Sequence, residues 1–248
     1  MPVRPTALPI LLDSSDYVAI DKPAGLAAIP GRAEPDSVLD RLAAQTGLPS
    51  RGKDDPRLRV VHRIDKETTG VMLFAKHIAA QRHVSHQFQN NTVSKEYLAL
   101  VYGRLAEDEG LIKTQIGNHA TQRDRMAVLR RGGRPAITGW RVEQRFKSFT
   151  LVRVFPKTGK THQIRVHLAH LGHPLAVDPI YGSDEPVLLS QHKRNYRPTR
   201  GEDERPLLSR LGLHAASLTF TNVAGEAVTV AAPLPKDFRA TLNQLGKA

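Results

Sequence analysis

At 248 residues, 40% of them hydrophobic, the chain is long enough for a well-buried core and fits an ordinary globular protein of one or two domains rather than a disordered one. It has no cysteine, which excludes a disulfide framework and thiolate chemistry, and no apolar run near the roughly 18 residues of a membrane span, so a cytoplasmic protein is expected. The formal charge of +12 is unevenly placed: residues 112–177 hold 13 Lys and Arg against two acids, a net of +11, so the remainder carries only +1. Such a tract within a folded domain is the electrostatic footprint of a polyphosphate partner; the plainer alternative is a basic surface that binds nothing.

In chain order, a short apolar patch at Ala7–Leu12 precedes a predicted strand at Tyr17–Ile20, closed by the turn residues Asp21-Lys22-Pro23-Ala24-Gly25. A helix is expected over Ser37–Thr46, a buried strand over Gly70–Lys76 and a helix over Ile78–Asn90. The next strand, Val93–Val101, places Val93, Lys95, Tyr97, Ala99 and Val101 on one face. After a turn at Gly103 come strands near Met126–Leu129, Ala136–Phe146 and Phe149–Phe155, the last two joined as a hairpin through Lys147-Ser148. Thr161 is the expected N-cap of a helix whose apolar side is Ile164, Leu168 and Leu171, with Gly172 as its stop. Ser183–Arg210 is polar and Pro-containing, a long surface excursion, and a hairpin of Leu213–Val223 and Ala227–Ala232 closes the chain around Gly225. Strands dominate and helices do not alternate regularly with them, which predicts an α+β fold with a mixed or mostly antiparallel sheet.

Two motifs fail on inspection. Lys157-Thr158-Gly159-Lys160-Thr161 contains Gly-Lys-Thr, but Val154 stands where a phosphate-binding loop needs its first glycine. His162, His167, His170 and His173 crowd together without cysteine or a neighbouring acid before Asp178, and His162 and His173 are three helical turns apart, so no metal is expected there.

A third segment carries more. Val61-His62-Arg63-Ile64-Asp65-Lys66-Glu67-Thr68-Thr69-Gly70 is a polar turn with one central carboxylate, running straight into the apolar strand. Loops held by rigid strands are where catalytic groups sit, yet an aspartate ahead of a strand is equally readable as a turn cap. The cations His62, Arg63 and Lys66 bring a phosphate backbone within reach of Asp65, and Arg165, on the basic helix, is a candidate counter-ion. Tyr97 is readable as core or as a stacking platform for a base.

These residues resemble the active-site signature of the RluA-type pseudouridine synthases. Lys95-Glu96-Tyr97-Leu98-Ala99-Leu100-Val101-Tyr102-Gly103, Gly159-Lys160-Thr161-His162-Gln163-Ile164-Arg165-Val166-His167-Leu168 and Leu213-His214-Ala215 agree with that family in order and spacing, as do Asp21–Gly25, His173-Pro174-Leu175 and Asp178-Pro179-Ile180-Tyr181-Gly182. Ile64, Thr69 and Lys160 are mild departures, at positions where the family more often has Leu, Ser and Arg. The resemblance covers about Tyr17–Ala232 and implies one catalytic domain over 1–248, with a mixed, mostly antiparallel central sheet flanked by helices and loops. It implies isomerisation of uridine to pseudouridine in ribosomal or transfer RNA, by a monomer without cofactor or metal.

By motif position, Asp65 is the catalytic carboxylate, Arg165 the arginine that pairs with it, and Tyr97 the aromatic that stacks on uracil. His62, Arg63, Lys66, Thr68, Lys160 and His162 are the expected RNA contacts, with Arg63 a candidate to occupy the space left by a flipped base. Only about 16 residues precede the first strand, too few for the S4-type RNA-binding domain of many relatives, so RNA selection is expected to rest on the catalytic domain. The competing readings are a non-catalytic RNA-binding or ribosome-assembly factor and an RNA hydrolase that uses His62 and the other histidines.

Overall fold

The computed structural model describes residues 7–31, 36–122, 125–193, 196 and 203–247. The chain forms two compact units, the first of Met1–Lys95 with Ala215–Pro233 and the second of Glu96–His214 with Leu234–Ala248.

In the first unit, β1 (Ile10–Asp13) pairs antiparallel with β2 (Tyr17–Lys22), which pairs antiparallel with β4 (Thr69–Ala75) from Tyr17 opposite Ala75 to Lys22 opposite Gly70. The short β3 (Arg59–Val60) pairs with the end of β4. β10 (Leu213–Thr221) neighbours β4 and forms the predicted hairpin with β11 (Ala227–Ala231). All seven residues of β4 are buried, which explains why its sequence is a continuous apolar run rather than an alternating one.

Alternate residues of β4 serve two cores. Val71, Leu73 and Ala75 join Tyr17 and Ala19 against Ala80 and Val84 of α2 (Ile78–Gln89). Met72 and Phe74 join Val18 and Ile20 against Val38 and Leu42 of α1 (Val38–Thr46). Ser37 caps α1 by accepting the Asp40 N–H, and Gly47 ends it in the left-handed region. His77 caps α2: its Nδ1 accepts the Ala80 N–H while Nε2 lies 2.9 Å from Asp16.

The second unit orders its strands β5 (Ser94–Tyr102), β9 (Phe149–Pro156), β8 (Arg134–Arg145), β6 (Glu109–Asn118) and β7 (Met126–Leu129), each antiparallel to its neighbour. The β8–β9 hairpin forms at Lys147-Ser148 as predicted, with a register shift between Val142 and Gln144. Ala99, Val101, Val152, Val154, Trp140 and Ile112 pack on one face against Ile164 and Leu168 of α3 (Gln163–His170). The other face, with Leu98, Leu100, Phe149 and Leu151, is covered by Phe238, Leu242 and Leu245 of α4 (Lys236–Leu245).

Three sequence expectations change. α3 is capped by His162, not Thr161: His162 takes a left-handed conformation (φ 54°), so the helix starts one residue later, at Gln163. Leu171 lies outside the helix core and is 38% exposed. β1, β3, β6 and α4 were not foreseen. The excursion from Ser183 to Arg210 is described in part, residues 194, 195 and 197–202 lying outside the described residues; its return is pinned to α4 by a bidentate Arg210–Asp237 pair at 2.7 Å.

Candidate active site

In the first unit, Asp65 sits in the connection between β3 and β4, partly exposed. Its carbonyl accepts the Thr68 N–H at 3.1 Å, closing the turn at Lys66-Glu67. The next carbonyl, of Lys66, accepts the Gly25 N–H at 3.0 Å and the Nζ of Lys22 at 2.7 Å. Lys22 is fully buried, and its ammonium also donates to the carbonyls of Pro23 and Leu26, each at 2.8 Å. The Asp21–Gly25 turn and the Asp65 turn are thereby locked together by one buried cation, a role the sequence did not reveal. Gly70 completes the frame: its φ is 108°, and a Cβ there would lie 2.1 Å from the carbonyl oxygen of Ala215.

The neighbours of Asp65 divide by environment. Arg63 and Lys66 present exposed side chains. His62 is engaged by the fold: its Nε2 accepts the Leu73 N–H at 2.9 Å and its ring stacks on Phe88 at 4.7 Å. Burial, helped by the charge of Lys95, pushes its pKa down to about 3, so the ring is neutral with its proton on Nδ1. Thr68 is buried, and its hydroxyl has no hydrogen-bond partner among the described residues.

In the second unit, Tyr97 on β5 lies opposite Val154 and packs, half-buried, against the core cluster that includes Ile164 and Leu168. Arg165 is buried on α3. Its Nε and Nη2 form a bidentate pair with the fully buried Asp178, at 2.9 and 2.7 Å. The same carboxylate accepts the N–H groups of Ile180 and Tyr181, so a planar guanidinium is held by a carboxylate that is itself held by backbone. The sequence places Asp178 in a matching motif but does not pair it with Arg165, because nothing in a separation of thirteen residues says that a helix and a later loop meet.

The turn before α3 is organised by the buried Gln163. Its Oε1 accepts the Lys160 N–H at 2.9 Å and the Thr158 hydroxyl at 2.7 Å, while its Nε2 donates to the Ile137 carbonyl and the Thr138 hydroxyl. His167, fully buried, bridges the hydroxyls of Thr138 and Thr114, each at 2.8 Å, and burial pushes its pKa down to about 4. Lys160 remains half-exposed, whereas His162 Nδ1 lies 3.0 Å from the Tyr181 hydroxyl. These bonds explain how six consecutive residues of α3, three of them polar, are buried together. Among the described residues, no group of three or more His, Cys, Asp or Glu could hold a metal ion.

The motif segments thus occupy hydrogen-bonded turns and a buried helix. A family model described as RNA pseudouridylate synthase matches residues 16–170. The chain belongs to this family.

Among curated relatives, the ribosomal large subunit pseudouridine synthase D of Nitrosomonas europaea is 40% identical over 239 residues, 96% of this chain and 65% of the relative. That of Neisseria meningitidis serogroup B is 37% identical over 98% of this chain and 62% of the relative. The chain therefore spans slightly less than two thirds of the length of these two relatives. Human RNA pseudouridylate synthase domain containing 1 matches in structure with a TM-score of 0.71 and 26% identity, over 94% of this chain and 87% of the human one. Human RNA pseudouridylate synthase domain containing 4 gives the same TM-score at 25% identity, over 96% and 93%. The α+β, mostly antiparallel expectation agrees with these neighbours.

Proposed function

We propose that the chain isomerises uridine to pseudouridine in RNA, as one catalytic domain acting as a monomer in the cytoplasm. The observation that carries this reading is the family match over residues 16–170, which contains Asp65, Tyr97 and Arg165, each inside its own motif. The relatives' names favour large-subunit ribosomal RNA as the substrate.

In this reaction the C1′–N1 bond of uridine breaks, the uracil turns while still bound, and a C1′–C5 bond forms; the proton on C5 is lost and N1 gains one. An enzyme group must capture or stabilise the sugar while the base is held. The Asp65 carboxylate serves this need by attacking the sugar or by taking a ribose proton. Tyr97 stacks on the flipped uracil, and Arg165 pairs with Asp65. Arg63, Lys66, Lys160 and His162 supply contacts to the RNA; His62 and Thr68 act through the shape of the Asp65 turn. The basic tract provides backbone affinity.

Release of tritium from C5-labelled uridine in a large-subunit ribosomal RNA transcript tests the proposal, with a transfer RNA transcript alongside. Wild type should release tritium and Asp65→Asn should not, while both bind RNA equally. Release by Asp65→Asn at the wild-type rate would refute the catalytic assignment. An inert wild type that binds RNA would favour the binding-factor reading that the +11 tract also supports.

A further inference from the structure

Tyr181 joins three parts of the second unit through one side chain. It is 9% exposed, and its hydroxyl oxygen accepts the Met126 N–H, at the start of β7, at 2.8 Å. The same hydroxyl lies 3.0 Å from Nδ1 of His162, the residue that starts α3, and the two rings meet edge to face at 86°. The Cζ of Arg165 is 5.2 Å from the Tyr181 ring centroid and that of Arg125 is 5.3 Å from it, both within cation–π range. With the Met126 N–H on its oxygen, the phenol is left to give its own proton to His162 Nδ1, which completes the arrangement when His162 carries its proton on Nε2.

The backbone around this junction is unusual. Among the described residues, three non-glycine residues have positive φ, and two of them flank the arginine clamp: His162 at 54°, opening the helix of Arg165, and Val177 at 55°, directly before Asp178. A β-branched residue in that region is strained and persists only where the surroundings over-determine it. Tyr181 is part of those surroundings, since its N–H binds Asp178 Oδ1 while its hydroxyl binds His162.

We propose that Tyr181 is a positioning residue for Arg165. Its ring carries the guanidinium, its N–H helps fix Asp178, and its hydroxyl locks the N-cap of α3 to β7, so the arginine is oriented before RNA arrives. The proposal deepens the isomerase reading and rests on it for the effect on rate. A buried tyrosine that only filled space would not need its hydroxyl, and here both hydroxyl contacts end on elements that frame Arg165.

The test uses Tyr181→Phe, which removes the hydroxyl alone, and Tyr181→Leu, which also removes the ring. Kinetics of tritium release from the ribosomal RNA transcript should show kcat lowered about tenfold for the first variant and about a hundredfold for the second, with KM within about twofold of wild type. Unchanged kcat in both, or a loss confined to KM, would overturn the proposal. If Tyr181→Leu does not fold, Tyr181→Phe decides alone. A second measurement does not depend on activity: the Arg165 Nε–H resonance, assigned with Arg165→Lys, should exchange with water faster in Tyr181→Phe than in wild type, at matched global stability. Equal exchange rates would overturn positioning. If wild type releases no tritium, the isomerase reading fails while the exchange measurement still decides the role of Tyr181.

Discussion

The Nζ of Lys22, a buried residue of β2, donates to the carbonyl of Lys66 at 2.7 Å and so ties the sheet to the turn that bears Asp65. Three carbonyls, of Pro23, Leu26 and Lys66, depend on this ammonium. Charge-assisted bonds of this kind are the strong ones, and a buried acceptor left without its donor costs its full desolvation. Lys22→Met, which keeps the stem and removes the charge, should lower unfolding free energy by about 2–4 kcal/mol in urea titrations. An unchanged urea midpoint would mean that the three carbonyls find other donors.

Gly70→Ala tests the other side of the same turn. A methyl group would lie 2.1 Å from the Ala215 carbonyl oxygen, a backbone atom that no rotamer change can move, at a φ of 108° that L residues avoid. A loss of about 3 kcal/mol or more is expected, measured as a fall in Tm or as insoluble expression. Wild-type stability would show that β10 can shift away from β4 at no cost.

Acid should destabilise the protein through two histidines. His62 and His167 have pKa values pushed down to about 3 and about 4, first by burial and then by the charges of Lys95 and His170 respectively, against about 6.5 in the unfolded chain. Below pH ~6.5 the unfolded state binds protons that the folded state refuses, so the stability conferred by the neutral rings is complete above that value. It then falls toward pH ~4 for His167 and ~3 for His62, by up to about 1.4 kcal/mol per pH unit for each group. Urea unfolding at pH 7, 6 and 5 measures the slope, and His167→Gln should reduce it by about half. Flat stability from pH 7 to 5 would contradict the burial of both rings.

The strands and helices that bury apolar residues with clear periodicity were legible in the sequence: β2, β4, α1 and α2 lie within a residue or two of their predicted bounds. β6 and α4 were not, for opposite reasons. β6 alternates Ile112 and Ile116 with polar residues but exposes Leu111 on its other face, which blurs the period of two. α4 is mostly polar and packs through Phe238, Thr241, Leu242 and Leu245. In the candidate site, Asp65, Tyr97 and Arg165 were nameable because each lies in a compact motif. Their supports were not, since Lys22 to Lys66 spans 44 residues, Arg165 to Asp178 thirteen and Met126 to Tyr181 fifty-five, and only the folded chain brings them together.

The connection between β7 and β8 supplies the last prediction. Arg130 and Arg131 in it and Arg134 at the start of β8 are all exposed, within five residues and beside the left-handed Gly132. If the chain binds RNA through its backbone, each cation that meets a phosphate releases about one condensed counterion, and the slope of log affinity against log salt shifts by about 0.7 per contact for single strands. Replacing all three by alanine should therefore weaken RNA binding at low salt and reduce the slope by about two, without regard to sequence and with Tm unchanged. Fluorescence anisotropy with the ribosomal RNA transcript, from low to moderate salt, reads both quantities. A wild-type slope in the triple variant would place the RNA elsewhere on the basic tract, whereas a changed slope at unchanged tritium-release kcat would separate backbone affinity from the chemistry assigned to Asp65.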